Sequence, residues 1–193
     1  MYGPPVETIR TRRLVLEPPA VHHADELAPV LDDRRLYRYL GGEPPTRDEL
    51  RARYAHLAAG PGPFHREWWP SWIVRRARDG RAIGYVRATV KPAPPAFAVT
   101  PASAGSTVSP GPPRRLASVA WVIGMPYQGF GFATEAARAM IDWLVSHGVD
   151  EIVATVHPDN RPSAAVAAKL GMNRTGETTA DGENVWRLPP AAT

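Results

Sequence analysis

A chain of 193 residues, 44% hydrophobic and 22% charged, is the size of one ordinary domain with its own core, and this composition excludes collagenous, mucin-like and wholly disordered classes. Its 23 basic residues against 19 acidic ones leave a net charge of only +4, and the cations are scattered in small groups (Arg12 and Arg13, Arg34 and Arg35, Arg75 and Arg76, Arg114 and Arg115), which argues against a nucleic-acid partner. With no cysteine there is no disulfide scaffold, thiol nucleophile or cysteine-ligated zinc; with no long apolar run and no secretory pattern at the start, no membrane association and a cytoplasmic address are expected.

Thr11 to Glu17 alternates polar and apolar residues and stops at Pro18 and Pro19, which predicts a first strand. Ala24, Leu27, Ala28 and Leu31 recur at helical spacing. Thr46-x-x-Glu49 reads as a capping box opening a second helix that runs to about Ala59. Trp72 to Ala77 and Ala82 to Val90 flank the turn signal Arg78-Asp79-Gly80 and predict a hairpin. The stretch 92–115 is built of Pro, Ala, Ser and Gly without usable periodicity, and reads as a flexible insertion or, alternatively, a lid that grips substrate.

Leu116 to Gly124 is a mostly apolar strand. After a glycine-bearing turn, Ala133, Ala136, Ala137, Met140, Ile141, Leu144 and Val145 form one face of a helix that Gly148 ends. Asp150 to Val156 is a short strand, Pro162 to Leu170 a helix closed by Gly171. Met172 to Thr175 and Asn184 to Leu188 are two last strands hinged at Asp181-Gly182. The order β-α-α-β-β-β-α-β-α-β-β predicts an α+β fold with a mixed, mostly antiparallel sheet of about seven strands and about four helices, in a single domain.

The segment with chemical content is the strand Val119 to Ile123 running through Gln128, Gly129, Phe130, Gly131, Phe132, Ala133 and Thr134 into a helix. Glycines let the backbone turn tightly and approach a ligand, while the new helix offers free N–H groups and a positive dipole end to a phosphate. The stretch is neither a Walker loop nor a dinucleotide fingerprint, and Gly-x-Gly alone fits a plain tight turn equally well.

Together with Asn160-Arg161-Pro162-Ser163 through Lys169-Leu170-Gly171-Met172, with Thr11 to Leu16, and with Gly80 to Gly84, the segment Pro126 to Ala136 resembles the GNAT superfamily of acyl-CoA-dependent N-acyltransferases. Within it, the likeness is to the branch typified by ribosomal-protein N-terminal acetyltransferases. The resemblance covers nearly the whole chain apart from the insertion. With the family's phosphate-loop pattern, Gln/Arg-x-x-Gly-x-Gly/Ala, set on Gly129 and Gly131, its first position is Pro126 and Gln128 stands two places on.

The resemblance implies that acetyl-CoA is the acyl donor, that no metal is used, and that the acetyl group passes directly to a primary amine, on a protein N-terminus or a small molecule. The donor would be held by backbone groups of Trp121, Val122 and Ile123, by Gln128, Gly129, Phe130, Gly131, Phe132, Ala133 and Thr134, and by Asn160 and Ser163. Ser163 matches the family hydroxyl that can protonate the leaving thiolate, although a helix-capping serine would look the same; Asn160 would orient a reactant or simply hold a turn. Many relatives carry a glutamate where Ser118 stands. The base is therefore open among Glu183, Asp181, Glu43, Glu67 and His157, or a water chain. Tyr39 and Glu43 would form one wall for the acceptor, with Trp68 and Trp69 as the other. The missing glutamate also admits a non-catalytic CoA-binding module of the same fold. The arginines admit a toxin acting on aminoacyl-tRNA. Either a monomer or a homodimer is compatible with the sequence.

Overall fold

The computed structural model describes residues 3–60, 67–93, 97–102, 105–110 and 114–190. The chain opens with the short strand β1 (Ile9–Arg10) and with β2 (Leu14–Glu17), followed by α1 (His23–Leu31), α2 (Arg34–Tyr37) and α3 (Arg47–Ala59). Next come β3 (Ser71–Arg76), β4 (Ala82–Pro92), β5 (Phe97–Ala102), β6 (Gly105–Pro110) and β7 (Arg115–Ile123). A single 3-10 turn (Met125–Tyr127) leads to α4 (Phe132–Ser146), β8 (Glu151–Val156), α5 (Arg161–Lys169), β9 (Asn173–Thr178) and β10 (Asn184–Arg187).

Local chemistry fixes several of these boundaries. Thr46 caps α3 reciprocally: its hydroxyl accepts from the Glu49 N–H at 3.3 Å, while Glu49 accepts from the Thr46 N–H at 2.7 Å. The Arg78-Asp79-Gly80 turn closes the β3–β4 hairpin, as its residue types require. At the C-terminal end, β10 inserts between β8 and β9, so β9 lies at the sheet edge.

Eight strands form one open, mostly antiparallel sheet in the order β1-β2-β3-β4-β7-β8-β10-β9, its one parallel pair being β7 with β8. α4 and α5 cover one face, where Met140, Leu144 and Ala167 pack on Leu14, Val74, Val86 and Val119. α1 and α3 cover the other, where Leu27, Leu31 and Leu50 pack on Ile73 and Val122. Alternation along β4 assigns the faces: Val86, Ala88 and Val90 turn to α4, whereas Tyr85, Arg87 and Thr89 turn to the α3 side. Trp72 is fully buried and meets Trp143 edge-on, with ring centroids 5.1 Å apart.

The architecture agrees with the α+β expectation and adds two short elements, β1 and α2, that carry too few residues to show a period. The stretch 92–115 joins β4 to β7, whose ladder runs out to Pro92 opposite Arg115. Inside it β5 and β6 pair antiparallel, from Phe97 opposite Pro110 to Ala102 opposite Gly105, so a stretch expected to be flexible contains a paired hairpin. Pairing of this kind is carried by the backbone and leaves no alternation in a run of Pro, Ala, Ser and Gly. Residues 94–96, 103–104 and 111–113 of the insertion lie outside the described residues.

Candidate active site

The sheet is split at its centre. β7 and β8 pair only from Leu116 opposite Glu151 to Ser118 opposite Val153. Beyond that rung β8 continues against β10, while Val119 to Ile123 of β7 continue against β4 alone. Gly84 keeps β7 on the β4 side, for a Cβ at that position would collide with the Val122 carbonyl oxygen, a closeness only glycine permits. On the opposite edge of β7, alternate N–H and C=O groups of Trp121, Val122 and Ile123 and their neighbours face the gap. An extended ligand bearing amides can pair there as an added strand.

The open edge runs straight into the glycine turn. Gly129 has φ +82° and Gly131 φ +79°, conformations that L side chains rarely adopt. Gly131 is the left-handed cap of α4 and supplies no side chain to its N–H groups; the first helical bond is from Glu135 N–H to the Gly131 carbonyl at 3.0 Å. The N–H groups of Phe132, Ala133 and Thr134 therefore point out of the helix without helical acceptors. A Cβ at Gly129 would meet nothing within 4 Å, so its positive φ, and not crowding, is what calls for glycine there. Anion binding is what such a helix end does best.

Two residues that sequence reasoning passed over hold this turn in place. Arg13, just before β2, donates from Nη1 to the Phe130 carbonyl at 3.0 Å and from Nε to Glu135 in the first turn of α4 at 2.6 Å, and its guanidinium lies 4.8 Å from the centre of the Phe132 ring. Glu135 also accepts from the Thr11 hydroxyl at 2.6 Å and the Arg13 N–H at 2.9 Å. Burial alone would raise the Glu135 carboxyl, but the Thr11 and Arg13 hydrogen bonds outweigh it and hold the group below the usual glutamate range. These partners are more than a hundred residues apart in sequence, so no local pattern announces them. Gln128 is also tied locally: its side-chain amide donates one of its two N–H hydrogens to the Ile123 carbonyl at 2.8 Å and braces the turn. Because Gly131 is the residue that opens α4, the family pattern fits from Gln128, with Gly131 and Ala133 at its small-residue positions. The register beginning at Pro126 is corrected accordingly.

At the far bank of the gap, β8 ends at Val156 and Asn160 opens α5. The Asn160 side-chain oxygen accepts from the Ser163 N–H at 3.2 Å, which makes Asn160 the cap. Ser163 lies one turn further in, and its hydroxyl has no partner among the described residues, so the reading of Ser163 as the capping residue is corrected. The Tyr39 ring reaches this end of β8, its centroid 5.2 Å from that of His157. His157 Nδ1 accepts from the Asp159 N–H at 3.1 Å, so its neutral ring carries the proton on Nε2 and presents a donor there.

Of the acidic candidates, Glu43 is highly exposed and paired with Arg34 at 3.4 Å, and Glu67 accepts from Trp69 Nε1 at 3.2 Å. Asp181 and Glu183 belong to the β9–β10 connection, which leads into Asn184 opposite Val156 at the end of β8. Trp68 corrects an expectation, for it is buried, bridges to Val90 and lies 5.4 Å from the Trp143 ring in the core instead of walling a cleft. Trp69, half-buried, lines a cavity of about 290 Å³ between α3 and strands β3 and β4. Thr89 in that cavity stands opposite Ser118, where the split begins.

Among the described residues no helix is long and apolar enough to cross a membrane. Residues 13–173 match the family model described as acetyltransferase (GNAT) domain. An uncharacterized N-acetyltransferase, YnaD of Bacillus subtilis (strain 168), is 39% identical over 59 residues, which are 30% of this chain and 35% of that protein; the chain thus matches about a third of the length of this curated relative. The ribosomal-protein-S5-alanine acetyltransferase of Vibrio fischeri shares the fold with a TM-score of 0.68 at 16% identity, covering 96% of this chain and 97% of that one. The microcin C7 self-immunity acetyltransferase MccE, solved in complex with acetyl-CoA and AMP, aligns with a TM-score of 0.64 at 16% identity over 92% of each chain.

Proposed function

The chain belongs to the GNAT acetyltransferase family, and we propose that it transfers an acetyl group from acetyl-CoA directly to a primary amine, as the ribosomal-protein N-terminal branch does. The observation that carries this reading is the open edge of β7 running into the uncapped N-terminus of α4. That edge suits the amides of the pantetheine arm, and the helix end suits the pyrophosphate. Gln128 through Thr134 then hold the donor by backbone, with Arg13 and Glu135 fixing the turn.

In the transfer the amine nitrogen bonds to the thioester carbonyl carbon, whose oxygen becomes an oxyanion. The C–S bond then breaks, and the electron pair leaves on sulfur. The unpartnered Ser163 hydroxyl is the group assigned to give that sulfur a proton, and Asn160 sets its helix. The ammonium proton of the intermediate leaves through water, since His157 presents an N–H and Glu43 and Glu67 are engaged by Arg34 and Trp69. Tyr39, beside His157, borders the acceptor's entry.

Release of free thiol from acetyl-CoA, followed over a panel of amines, tests the reading. The expected result is thiol formation matched by one acetylated amine per thiol. Its rate should rise with pH through the acceptor's own ionisation, since no side chain takes the proton. Tight acetyl-CoA binding without thiol release from any amine would leave a binding module of the same fold.

A further inference from the structure

The cavity between α3 and the sheet has a composition that speaks to its occupant. Its volume, about 290 Å³, equals roughly ten waters at about 30 Å³ each, the bulk of one amino-acid-sized body. Tyr54, Trp69, Trp72 and Tyr85 give it flat, apolar walls. Arg53 from α3 and Arg87 from β4, both exposed, also line it, and no carboxylate does among the described residues.

Those two arginines differ from the arginines that the fold ties down. Arg75 is held by Glu17 at 3.0 Å and Glu26 at 2.7 Å, Arg51 by Asp25 at 2.9 Å, and Arg114 by Glu151 at 3.0 Å. Among the described residues neither Arg53 nor Arg87 is hydrogen-bonded or ion-paired to a carboxylate or carbonyl, although the charge of Arg53 acts on Glu49 one turn earlier in α3. The acid bonded to the wall is Glu67, whose carboxylate accepts from Trp69 Nε1 at 3.2 Å and is not part of the lining. Tyr54 is 4% exposed and its hydroxyl, itself buried, has no partner among the described residues; burial pushes that hydroxyl up, so it stays protonated and keeps an O–H to donate. Guanidinium groups with free N–H forks beside aromatic faces suit an anion carried on an apolar body, and they offer nothing to extra positive charges.

The cavity is also well placed for the chemistry. Arg87 lies opposite Ala120, and Thr89 opposite Ser118, across the β4–β7 ladder. With strands about 4.8 Å apart, its floor is one strand from the stretch of β7 whose other edge is open.

We propose that this cavity is the acceptor pocket, and that it selects a small primary amine bearing an aromatic-sized apolar body and an anionic group, carboxylate or phosphate, gripped by Arg53 and Arg87. The inference rests on the acetyl-transfer reading above for the amine, and on the cavity alone for the anion.

The experiment has a turnover arm and a binding arm. In the first, thiol release is compared for phenylalanine, phenylalaninamide and phenethylamine, for tyramine O-phosphate against tyramine, and for spermidine. The anionic member of at least one series should have a KM at least tenfold lower than its neutral partners. Which series shows it identifies carboxylate or phosphate, and spermidine should be the poorest acceptor. In the second arm, N-acetylphenylalanine, whose amine is already blocked, and N-acetyltyramine O-phosphate are titrated against the protein by tryptophan fluorescence, each beside its uncharged counterpart. The preferred anion should bind at least tenfold more tightly, and Arg53→Gln or Arg87→Gln should erase that advantage. The comparison of charged with uncharged ligand needs no variant, so a substitution that failed to fold would not spare the inference. Anion-selective binding with no thiol from any amine would overturn acetyl transfer and keep the pocket. Thiol release with neutral or polycationic amines preferred, and no anion selectivity in either arm, would overturn the pocket and keep acetyl transfer.

Discussion

The two banks of the site are made from different parts of the chain. The donor side is backbone: an open strand edge, two glycines with positive φ, and a helix end whose N–H groups have no acceptors. The acceptor side is side chains, brought from α3, β3 and β4 to one cavity. A ligand held by backbone is held wherever the chain can take up the required conformation. Glycine in sequence then reports the site directly, and most side chains around it are free to vary. A ligand held by side chains depends on a dozen separate choices, none of which forms a local motif.

The sharpest way to break that contrast is at Gly131. Gly131→Leu places an L side chain at φ +79°, which should cost the fold about 1–2 kcal/mol. It also misdirects the N–H groups that follow; losing two charge-assisted hydrogen bonds at about 1.5 kcal/mol or more each weakens acetyl-CoA binding about a hundredfold or more by calorimetry. Donor affinity equal to that of the wild type in a folded variant would move the pyrophosphate elsewhere.

The two adjacent tryptophans separate core from pocket within one dipeptide. Trp68→Ala removes a ring buried against Trp143 and should cost about 3–5 kcal/mol in denaturant unfolding. Trp69→Ala, at the cavity wall, should stay within about 1 kcal/mol and instead raise the acceptor's KM. The reverse ranking would reassign the walls.

On the far bank, Ser163→Ala should lower turnover roughly 10-fold to 100-fold with the KM for acetyl-CoA nearly unchanged, because a proton given to the departing sulfur acts in the transition state. Its stability should match the wild type, whereas Asn160→Ala should lose about 1 kcal/mol, since Asn160 is the cap. Full turnover in Ser163→Ala would leave the sulfur to water.

The smallest effect concerns the Arg13–Glu135 latch. A carboxyl held below its usual range in the folded state contributes stability at pH values above the unfolded glutamate's pKa, about 4.3, and loses it as pH falls through the folded value. Glu135→Gln should therefore be less stable than the wild type by about 1 kcal/mol near neutrality, with the gap closing as the medium is acidified below pH of about 4. A gap that is constant with pH would mean the carboxylate's charge is idle.

How much could be read beforehand follows the same division. The strands, the α3 capping box and the glycine turn announce themselves because each depends on neighbours in sequence: alternation in β2, Thr46 with Glu49, Gly129 with Gly131. The order β7-β8-β10-β9, the loss of pairing after Ser118 and the capture of Glu135 by Thr11 and Arg13 are decided by packing across distant segments. Trp68 and Trp69 show the limit most plainly. Two identical side chains in sequence necessarily point to opposite faces of an extended chain, and only the placement of α3 and α4 tells which face is core.

The split between β7 and β8 has a cost in colloidal behaviour. Val119-Ala120-Trp121-Val122-Ile123 is an uncharged, proline-free, β-prone run, and its outer backbone groups have no strand beside them, the condition that sheet edges normally guard against with charge or bulges. On the proposed acetyl-transfer reading the guard is a small molecule: a seated pantetheine arm would complete the hydrogen-bonding of that edge and deny it to another chain. Acetyl-CoA is then a shield against association as well as a reactant, and light scattering on the protein held warm without it should rise sooner than in its presence.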